Sequence, residues 1–196
     1  MKLDDIKELH FITPMGNIPS ILKLGILSHN EADRIRAISV ADPLVQQRRK
    51  NKVLPNAGPL HSYANLYFHA RNPMMCALQG RRAELAVLRI DCAVLNLPGA
   101  IVSGGNASSD YTRFYPSPAG LAFLDRDLVF ARDWRSPDQI TYWRQKSARC
   151  AEALVPRSVE SRFILGAYVC SATAQAALAA LARNLTSTVE ADLFTI

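Results

Sequence analysis

A single carboxylate interrupts an apolar stretch of the sequence. Glu152 lies in RCAEALVP, residues 149–156, with alanine on both sides and leucine and valine after it. Strand alternation would place Glu152 on the same face as Cys150 and Leu154. A buried carboxylate is costly unless a partner compensates its charge. The segment therefore indicates either an edge strand or a carboxylate kept for chemistry, and these residues alone leave both interpretations open.

Polar residues also gather in LHFITPMGNI, where His10, Thr13 and Asn17 surround the start of a predicted helix. The free N–H groups at a helix N-terminus suit a phosphate or a carboxamide. Ordinary helix capping together with a core histidine is the alternative explanation. A ligand site and a capped helix are both compatible with this pattern.

A basic run, QQRRKNK, contains Arg48, Arg49, Lys50 and Lys52. On a helix these side chains cannot all share one face, and a solvated surface explains most such runs. In the functional interpretation, one arginine points inward and binds a phosphate through its planar fork, while the others contact nucleic acid.

A fourth cluster, NLYFHARNPMM, leaves a predicted strand and enters a proline-containing turn. Alternation places Tyr67, His69 and Arg71 on one face and Leu66 and Phe68 on the other. Half-exposed sheets commonly show this pattern, so it is compatible with a ligand-binding face and with an ordinary solvent-exposed face.

The composition is that of an ordinary globular protein with a basic balance. The 196 residues are 49% apolar and 20% charged, with a net charge of +6 and a pI near 9.4. This balance favours an anionic partner such as nucleic acid or a phosphate-bearing cofactor. The charged N-terminus lacks the apolar core of a signal peptide, and no apolar run is long enough to span a membrane. We therefore expect a cytoplasmic protein.

Other common sites are absent from the sequence. The four cysteines are widely spaced, which favours buried free thiols over a disulfide framework or a zinc site. No Walker loop, GxGxxG or HExxH motif occurs.

Helix and strand signals indicate one α+β domain over residues 1–196. A first helix is predicted after Asn17 and ends at Gly25, a second has Asp42 as its N-cap, and a third has Ser136. An alanine-rich helix lies in SATAQAALAALARNL. Strands are predicted in ANLYFHA, ELAVLRI, GAIVS, AEALVP and RFILGAYVC. Helices and strands do not alternate strictly, which favours α+β over a doubly wound α/β fold.

In their order along the chain, the polar clusters resemble the DarT family, toxins that ADP-ribosylate bases of single-stranded DNA with NAD. FITPMGNIPSILKLGIL matches the family's HxTHxxNLxxIL…G segment, and VQQRR matches its IQERR. NAGPLHSYANLYFHARNPMM matches PGGxLHDYVxxYFxxRSPM, and CAEALV matches QAExLV. The sequence departs from the pattern at Phe11 and Pro14, where the family has histidines, and at Ser62, where it has an acidic residue.

The resemblance implies an ADP-ribosyltransferase-like α+β fold, with an NAD cleft between two small, mainly antiparallel sheets and flanking helices. NAD would be the ADP-ribose donor, and no metal is implied. Glu152 matches the catalytic glutamate, and Arg49 matches the catalytic arginine. The residues that fall on the family's NAD-lining segments are His10, Phe11, Thr13, Asn17, Gly25, Leu27, Tyr67, Arg71 and Met74.

The segment FARDWRSPDQITYWRQKSAR takes the place of the loop that selects acceptors in ADP-ribosyltransferases. Cations interleaved with aromatic residues are typical of a groove that binds a single strand. A surface helix whose tryptophans pack inward is the alternative. The predicted nucleic-acid contacts come from this segment, except for Arg48 and Met75, which belong to the earlier motifs. The contacts from this segment are Arg132, Trp134, Arg135, Trp143, Arg144, Lys146 and Arg149.

The function implied by the resemblance is that of a monomeric toxin that modifies guanine or thymine in single-stranded DNA. Its partner would be an ADP-ribosyl-hydrolase antitoxin of the macrodomain or NADAR type, and no membrane is involved. Two alternatives stay open: an ADP-ribosyltransferase that acts on RNA or protein, and a nucleic-acid-binding module without catalysis.

Overall fold

A computed structural model describes residues 1–195 of the chain. Ten strands and seven α-helices are present in this part of the chain, with short 3-10 turns between them. The helices are α1 Ile18–Leu24, α2 His29–Arg34, α3 Pro43–Asn51, α4 Pro73–Ala77, α5 Arg126–Val129, α6 Gln139–Ala148 and α7 Ala172–Leu181. The strands are β1 Leu9–Pro14, β2 Ile26–Leu27, β3 Tyr63–Tyr67, β4 Leu85–Ile90, β5 Ile101–Ser103, β6 Phe114–Pro116, β7 Glu152–Pro156, β8 Ser158–Val159, β9 Ile164–Val169 and β10 Ser187–Val189.

Eight of the strands form one sheet in the order β10-β9-β4-β1-β3-β7-β5-β6, and β2 pairs with β8 beside it. All neighbours in the large sheet are antiparallel except β9 and β10, which are parallel. The sheet is nearly divided at its centre, because β1 and β3 pair only at His10 and Tyr67. The two small sheets that the resemblance implies are therefore two halves of one sheet, β10-β9-β4-β1 and β3-β7-β5-β6.

Capping side chains set the start of α3 and α6, although only one of these two caps was predicted correctly. Asp42 caps α3 as predicted, and its carboxylate accepts hydrogen bonds from the N–H groups of Leu44 and Val45. Ser136 was the wrong prediction for α6, because Asp138 is the N-cap and accepts from the N–H of Thr141. Ser136 accepts from the N–H of Asp138 instead, and so shapes the turn that leads to the helix.

Strand β1 was not predicted from the sequence. It pairs with all six residues of β4, and every one of its residues except Phe11 is buried. A strand buried on both faces shows no alternation of polar and apolar residues, so the period-two signal is absent.

Strand β7 is buried on both faces and carries Glu152 at its first position. Ala153 and Val155 belong to the main hydrophobic cluster, whereas Leu154 belongs to a separate small cluster with Leu54 and Leu60. The expected division of faces is therefore present, but β7 lies between β3 and β5 and is not an edge strand. No helix within residues 1–195 is long and apolar enough to cross a membrane.

Candidate active site

Helix α3 and strand β7 bring Arg49 and Glu152 together across 103 positions of sequence. Arg49 Nη1 lies 3.0 Å from Glu152 Oε1, and Arg49 Nη2 lies 3.0 Å from Oε2. This two-pronged contact uses the planar fork of the guanidinium. Both groups are nearly sealed from solvent, with 7% of Arg49 and 1% of Glu152 exposed. The two predicted catalytic residues therefore form one buried ion pair.

The loop between β5 and β6 holds the carboxylate from its other side. The N–H of Ala107 donates to Glu152 Oε1 at 2.9 Å, and the main-chain N–H of Glu152 donates to Ser103 Oγ at 3.1 Å. A carboxylate offers about four acceptor positions, two on each oxygen. Oε1 uses both of its positions, while Oε2 accepts only from Arg49 among the described residues. The open acceptor position therefore belongs to Oε2.

Burial and charge act in opposite directions on the groups around this pair. Burial alone would lower the pKa of Arg49, but the negative charge and hydrogen bonds of Glu152 outweigh it and raise that pKa. Burial, followed by the charge of Glu152, raises the pKa of the Tyr67 hydroxyl well above its usual range. Burial also raises the pKa of the Cys150 thiol to about 12. Tyr67 and Cys150 are therefore neutral at physiological pH, and the pair supplies the local charge.

A cavity of about 850 Å³ lies beside the pair. Arg49 and Cys150 reach its wall, whereas Glu152 lies behind Arg49 and does not. Of the nine residues predicted to bind a cofactor, those on the cavity wall are Phe11, Thr13, Asn17, Gly25, Leu27, Tyr67 and Met74. The structure thus gathers residues that are far apart in sequence around one cavity, and their role there stays a prediction.

The segment from Ile35 to Pro43 also lines the cavity, and it was missed from the sequence. Asn17 holds this segment: its Nδ2 donates to the carbonyl of Ile38 at 2.8 Å, and its Oδ1 accepts from the N–H of Ile38 at 3.1 Å. Asn17 does not cap α1 with its side chain. The only sequence signal that this segment lines a cavity is the pair of exposed apolar residues Ile35 and Ile38. The pair follows no helix or strand period, so it did not stand out.

The remaining two predicted cofactor residues lie outside the cavity wall. His10 is buried, and its Nδ1 accepts from the N–H of Ala70 at 2.8 Å while Nε2 faces Glu8 Oε1 at 3.1 Å. A main-chain N–H can only donate, so the neutral ring carries its proton on Nε2. Arg71 donates to the carbonyl groups of Thr195 and Arg132. These contacts tie strands and loops together at the edge of the site.

The predicted nucleic-acid contacts divide into exposed and buried residues. Met75 and Trp134 are buried, at 0% and 6% exposure, and Arg149 is 2% exposed. These three were wrong as surface contacts, because Met75 belongs to a hydrophobic cluster of the core and Trp134 lies beside the buried guanidinium of Arg149. The residues that do lie on the surface are Arg48, Arg132, Arg135, Trp143, Arg144 and Lys146.

Arg149 joins the end of α5 to the turn that follows β3. Its guanidinium donates to the carbonyl groups of Val129 and Arg71, and Nη2 lies 3.2 Å from His69 Nδ1. Burial lowers the pKa of Arg149 to about 10, and burial followed by the charge of Arg149 lowers the pKa of His69 to about 3. Arg149 therefore acts within the fold, three positions before Glu152, the residue at which β7 begins.

Within residues 1–195 no three histidine, cysteine or acidic side chains come together as a metal site. Cys76, Cys92, Cys150 and Cys170 are all free thiols, and only Cys150 is buried.

Comparison with known proteins decides the family. Residues 10–192 match the family profile described as "ssDNA thymidine ADP-ribosyltransferase, DarT". The chain belongs to the DarT family. Over 172 residues it is 33% identical to a DNA ADP-ribosyl transferase-DNA ADP-ribosyl glycohydrolase fusion protein of Thermosipho africanus, which covers 83% of this chain. The match spans only 42% of that relative's length.

Two solved structures of DarT proteins share the fold. Thermosipho africanus DarTG in complex with ADP-ribose has a TM-score of 0.82 at 31% identity, covering 95% of this chain and 50% of that one. Thermus sp. 2.9 DarT in complex with ADP-ribosylated ssDNA has a TM-score of 0.85 at 21% identity, covering 100% and 99%. The α+β ADP-ribosyltransferase-like fold predicted from the sequence is confirmed.

Proposed function

We propose that this DarT-family chain transfers ADP-ribose from NAD to a base of single-stranded DNA. The observation that carries the proposal is the buried Arg49–Glu152 pair beside a cavity of about 850 Å³. A cavity of this size is within the range of small-molecule sites. DarT-family membership supports the choice of donor and acceptor, since related proteins have been solved with NAD+ and with ADP-ribosylated ssDNA.

The cavity wall fits an NAD-sized donor in its chemistry as well as its volume. Apolar side chains such as Phe11, Ile26 and Leu27 alternate with polar groups such as Thr13 and Tyr67. A largely apolar wall with a few polar groups is the usual arrangement for a cofactor-sized ligand. Water that enters such a site would compete with the acceptor base, and the Ile35–Pro43 segment lies where it can exclude that water.

Glu152 has two tasks in the proposed reaction. The nitrogen of the base replaces nicotinamide at the anomeric carbon of the ribose, and the proton of that nitrogen passes to Glu152. Before the new bond forms, the ribose carries developing positive charge, which a nearby carboxylate stabilises. Oε2 is the atom with an open acceptor position, so it is the atom that receives the hydrogen bond of the substrate.

Arg49 orients Glu152 and also covers it. Because Arg49 stands between the carboxylate and the cavity, the guanidinium shifts aside when Glu152 meets the substrate. The displaced Nη groups are then free to donate to a phosphate or a base oxygen. This sequence of contacts keeps the carboxylate partnered before the substrates arrive and frees it afterwards.

A single-stranded acceptor follows from access. A base edge that is paired in a duplex cannot enter a cavity unless it is flipped out of the stack. Outside the cavity, α6 carries Trp143 at 61% exposure, with Arg144 and Lys146 exposed beside it. An exposed aromatic ring stacks on any base, and adjacent cations bind the phosphates.

The test is incubation with labelled NAD and, separately, single-stranded DNA, duplex DNA, RNA and protein. We expect label in single-stranded DNA alone, and mass spectrometry of short oligonucleotides identifies the modified base as guanine or thymine. Glu152→Gln should abolish the transfer, whereas Glu160→Gln, an exposed carboxylate paired with Arg162, should leave it unchanged. Label in RNA or protein instead of DNA, or undiminished transfer by Glu152→Gln, would contradict the proposal.

The proposed biological role is that of a toxin acting in the cytoplasm as a monomer, with a hydrolase as its antitoxin. The name of the Thermosipho africanus relative joins a transferase to a DNA ADP-ribosyl glycohydrolase in one protein, and this supports a hydrolase as partner. A macrodomain or a NADAR-type enzyme would each supply the required cleavage of ADP-ribose from the base. Co-expression of each hydrolase type with this chain, scored by growth and by removal of the modification, distinguishes the two.

A further inference from the structure

The loop between β5 and β6 places Asn106 next to the Arg49–Glu152 pair. Asn106 borders the cavity together with Arg49 and Cys150, and the N–H of the next residue, Ala107, donates to Glu152 Oε1. The loop is firmly held. Thr112 Oγ1 donates to the carbonyl of Asn106 at 2.7 Å, and a Cβ at Gly105 would lie only 2.4 Å from Ser147 Oγ. Asn106 therefore has a fixed place beside the carboxylate.

The contacts of Asn106 settle which end of its amide is free. The N–H of Ser108 meets Asn106 Oδ1 at 2.9 Å, and Ser108 Oγ meets the same atom at 2.8 Å. A main-chain N–H can only donate, so the atom that it meets must be the amide oxygen. Both acceptor positions of Oδ1 are then used. Nδ2, with two N–H donors, has no hydrogen-bond partner among residues 1–195.

A donor next to a proton-accepting carboxylate matches one kind of base edge. Glu152 requires a base nitrogen that carries a proton, and Asn106 Nδ2 requires an acceptor beside it. Thymine N3–H lies between two carbonyl groups, and guanine N1–H lies beside O6, whereas the ring nitrogens of adenine and cytosine on this edge carry no proton. The pair of groups thus favours thymine and guanine over adenine and cytosine.

We propose that Asn106 selects the acceptor base by donating a hydrogen bond from Nδ2 to a carbonyl oxygen of that base. This inference rests on the proposed function, because it concerns the acceptor of the same reaction. Its effect is on the choice and placement of the base, and Glu152 remains the group that receives the proton.

Two substitutions remove the Nδ2 donor of Asn106 and keep an acceptor for the turn that Asn106 forms with Ser108. Asn106→Asp keeps an oxygen that accepts from Ser108 and removes the NH2 group. Asn106→Ser also keeps an acceptor for the turn, and it adds no charge beside Glu152. Asn184→Asp, on an exposed residue before β10, is the control for the added negative charge. Thermal melting of each variant reports whether the fold is kept.

The measurement is kcat/KM for transfer to an oligonucleotide with the preferred base, and to the same oligonucleotide with each base carbonyl in turn replaced by a thiocarbonyl. Sulfur is a weak acceptor, so the substituted base loses the contact without losing its proton. With the wild-type chain, we expect about a tenfold or greater loss for one particular thiocarbonyl, as removal of a buried hydrogen bond produces. With Asn106→Ser, we expect a similar loss on the normal base and no further loss on that thiocarbonyl.

If the loss in kcat/KM caused by Asn106→Ser and the loss caused by each thiocarbonyl simply multiply, Asn106 acts through the fold alone. That result would overturn the inference. Unchanged kcat/KM in both Asn106 variants would overturn it as well. Failure of the wild-type chain to modify any DNA base is a different result, since it removes the proposed function itself and is seen before any variant is made.

Discussion

Two buried arginines, Arg49 and Arg149, have opposite kinds of partner. Arg49 meets the carboxylate of Glu152 through two hydrogen bonds of 3.0 Å each. Arg149 donates to two carbonyl groups, lies against the rings of His69 and Trp134, and has no hydrogen-bond partner for its Nε among residues 1–195. Burial favours a lower pKa for Arg49, but the charge and hydrogen bonds of Glu152 outweigh burial and raise that pKa. Burial lowers the pKa of Arg149 to about 10.

The difference shows what each buried cation does. A guanidinium that faces a carboxylate beside a cavity can exchange that partner for a substrate group. A guanidinium surrounded by carbonyl groups cannot give them up, because each carbonyl would be left buried and unpaired. The comparison therefore supports the role proposed for Arg49 in the reaction, whereas Arg149 links the α5–α6 region to the turn that follows β3.

The largest effect should come from breaking the pair at one end. Arg49→Met leaves the buried carboxylate of Glu152 without its charged partner, which costs about 3–5 kcal/mol of folding free energy in comparable sites. Transfer activity should fall at least about 100-fold. Chemical denaturation and labelled-NAD assays measure both. A second change, Glu152→Gln, should restore much of the lost stability but no activity; absence of any recovery would show that the two residues do not depend on each other.

Arg149→Met tests the other side of the comparison. It leaves the carbonyl groups of Val129 and Arg71 without their donor, so we expect a loss of about 1–3 kcal/mol in the free energy of unfolding. Arg162→Met, an exposed arginine, is the matched control and should change stability by less than about 0.5 kcal/mol. If Arg149 contacts DNA instead, the variant will keep its stability and lose affinity for oligonucleotides.

Acid should weaken the fold through histidines near both arginines. Burial, then the charges of His29 and Arg49, lower the pKa of His61 to about 4, and the pKa of His69 is about 3. Unfolded histidine titrates near 6.5, so between about pH 6.5 and pH 4 the unfolded chain binds protons that the folded chain does not. Stability therefore falls as the pH falls. We expect about 1–2 kcal/mol per histidine on going from pH 7 to pH 5.

His61→Gln should flatten that dependence. The substituted amide can still donate to Gln46, whose Oε1 lies 3.1 Å from His61 Nε2, and it does not titrate. Unfolding at pH 5 and pH 7 in both proteins gives the comparison. An unchanged slope in His61→Gln would mean that this histidine does not contribute.

A smaller effect is expected from the contact between Asn17 and Ile38. Asn17→Ala removes both hydrogen bonds that hold the Ile35–Pro43 segment over the cavity. We expect faster amide exchange in this segment and a change of about three- to tenfold in KM for NAD, with a smaller change in kcat. Equal exchange rates in the variant and the wild-type chain would exclude a holding role.

The smallest effect should appear on the surface. Replacing Arg144 with methionine removes one exposed cation of α6, and each phosphate contact with a single strand contributes about 0.7 to the slope of log affinity against log salt. Fluorescence anisotropy of a labelled oligonucleotide at several salt concentrations measures that slope. A slope identical to that of the wild-type chain would place the DNA elsewhere.

The sequence was most informative where local chemistry decides the outcome. Asp42 followed by Pro43 specified the start of α3, and the motifs around Arg49 and Glu152 indicated a pair that the fold then joins. Burial was harder to predict, because a charged or aromatic residue in a basic segment reads as surface. Arg149 and Trp134 pack against each other, with the guanidinium carbon 5.9 Å from the indole ring, and no local pattern reveals that contact.

Long-range placement explains the other differences. Asn106 has no motif of its own, and its importance follows only from the pairing of β5 with β7, which sets Ser103 opposite Glu152. The Ile35–Pro43 segment reaches the cavity because Asn17 binds it from 21 residues away. In each case the decisive contact joins positions that are far apart in the chain, so it could not be read from neighbouring residues.

The two halves of the sheet are interleaved along the chain. β1 and β4 belong to one half and β3, which lies between them in sequence, belongs to the other; β5, β6 and β7 then precede β9 and β10. A cut in the exposed turn at Pro98–Gly99 would leave strands of both halves on each fragment, with Arg49 on the first and Glu152 on the second. Neither fragment could assemble a half of the sheet by itself. We therefore expect two fragments that are inactive alone and that recover the proposed transfer activity only when they are brought together.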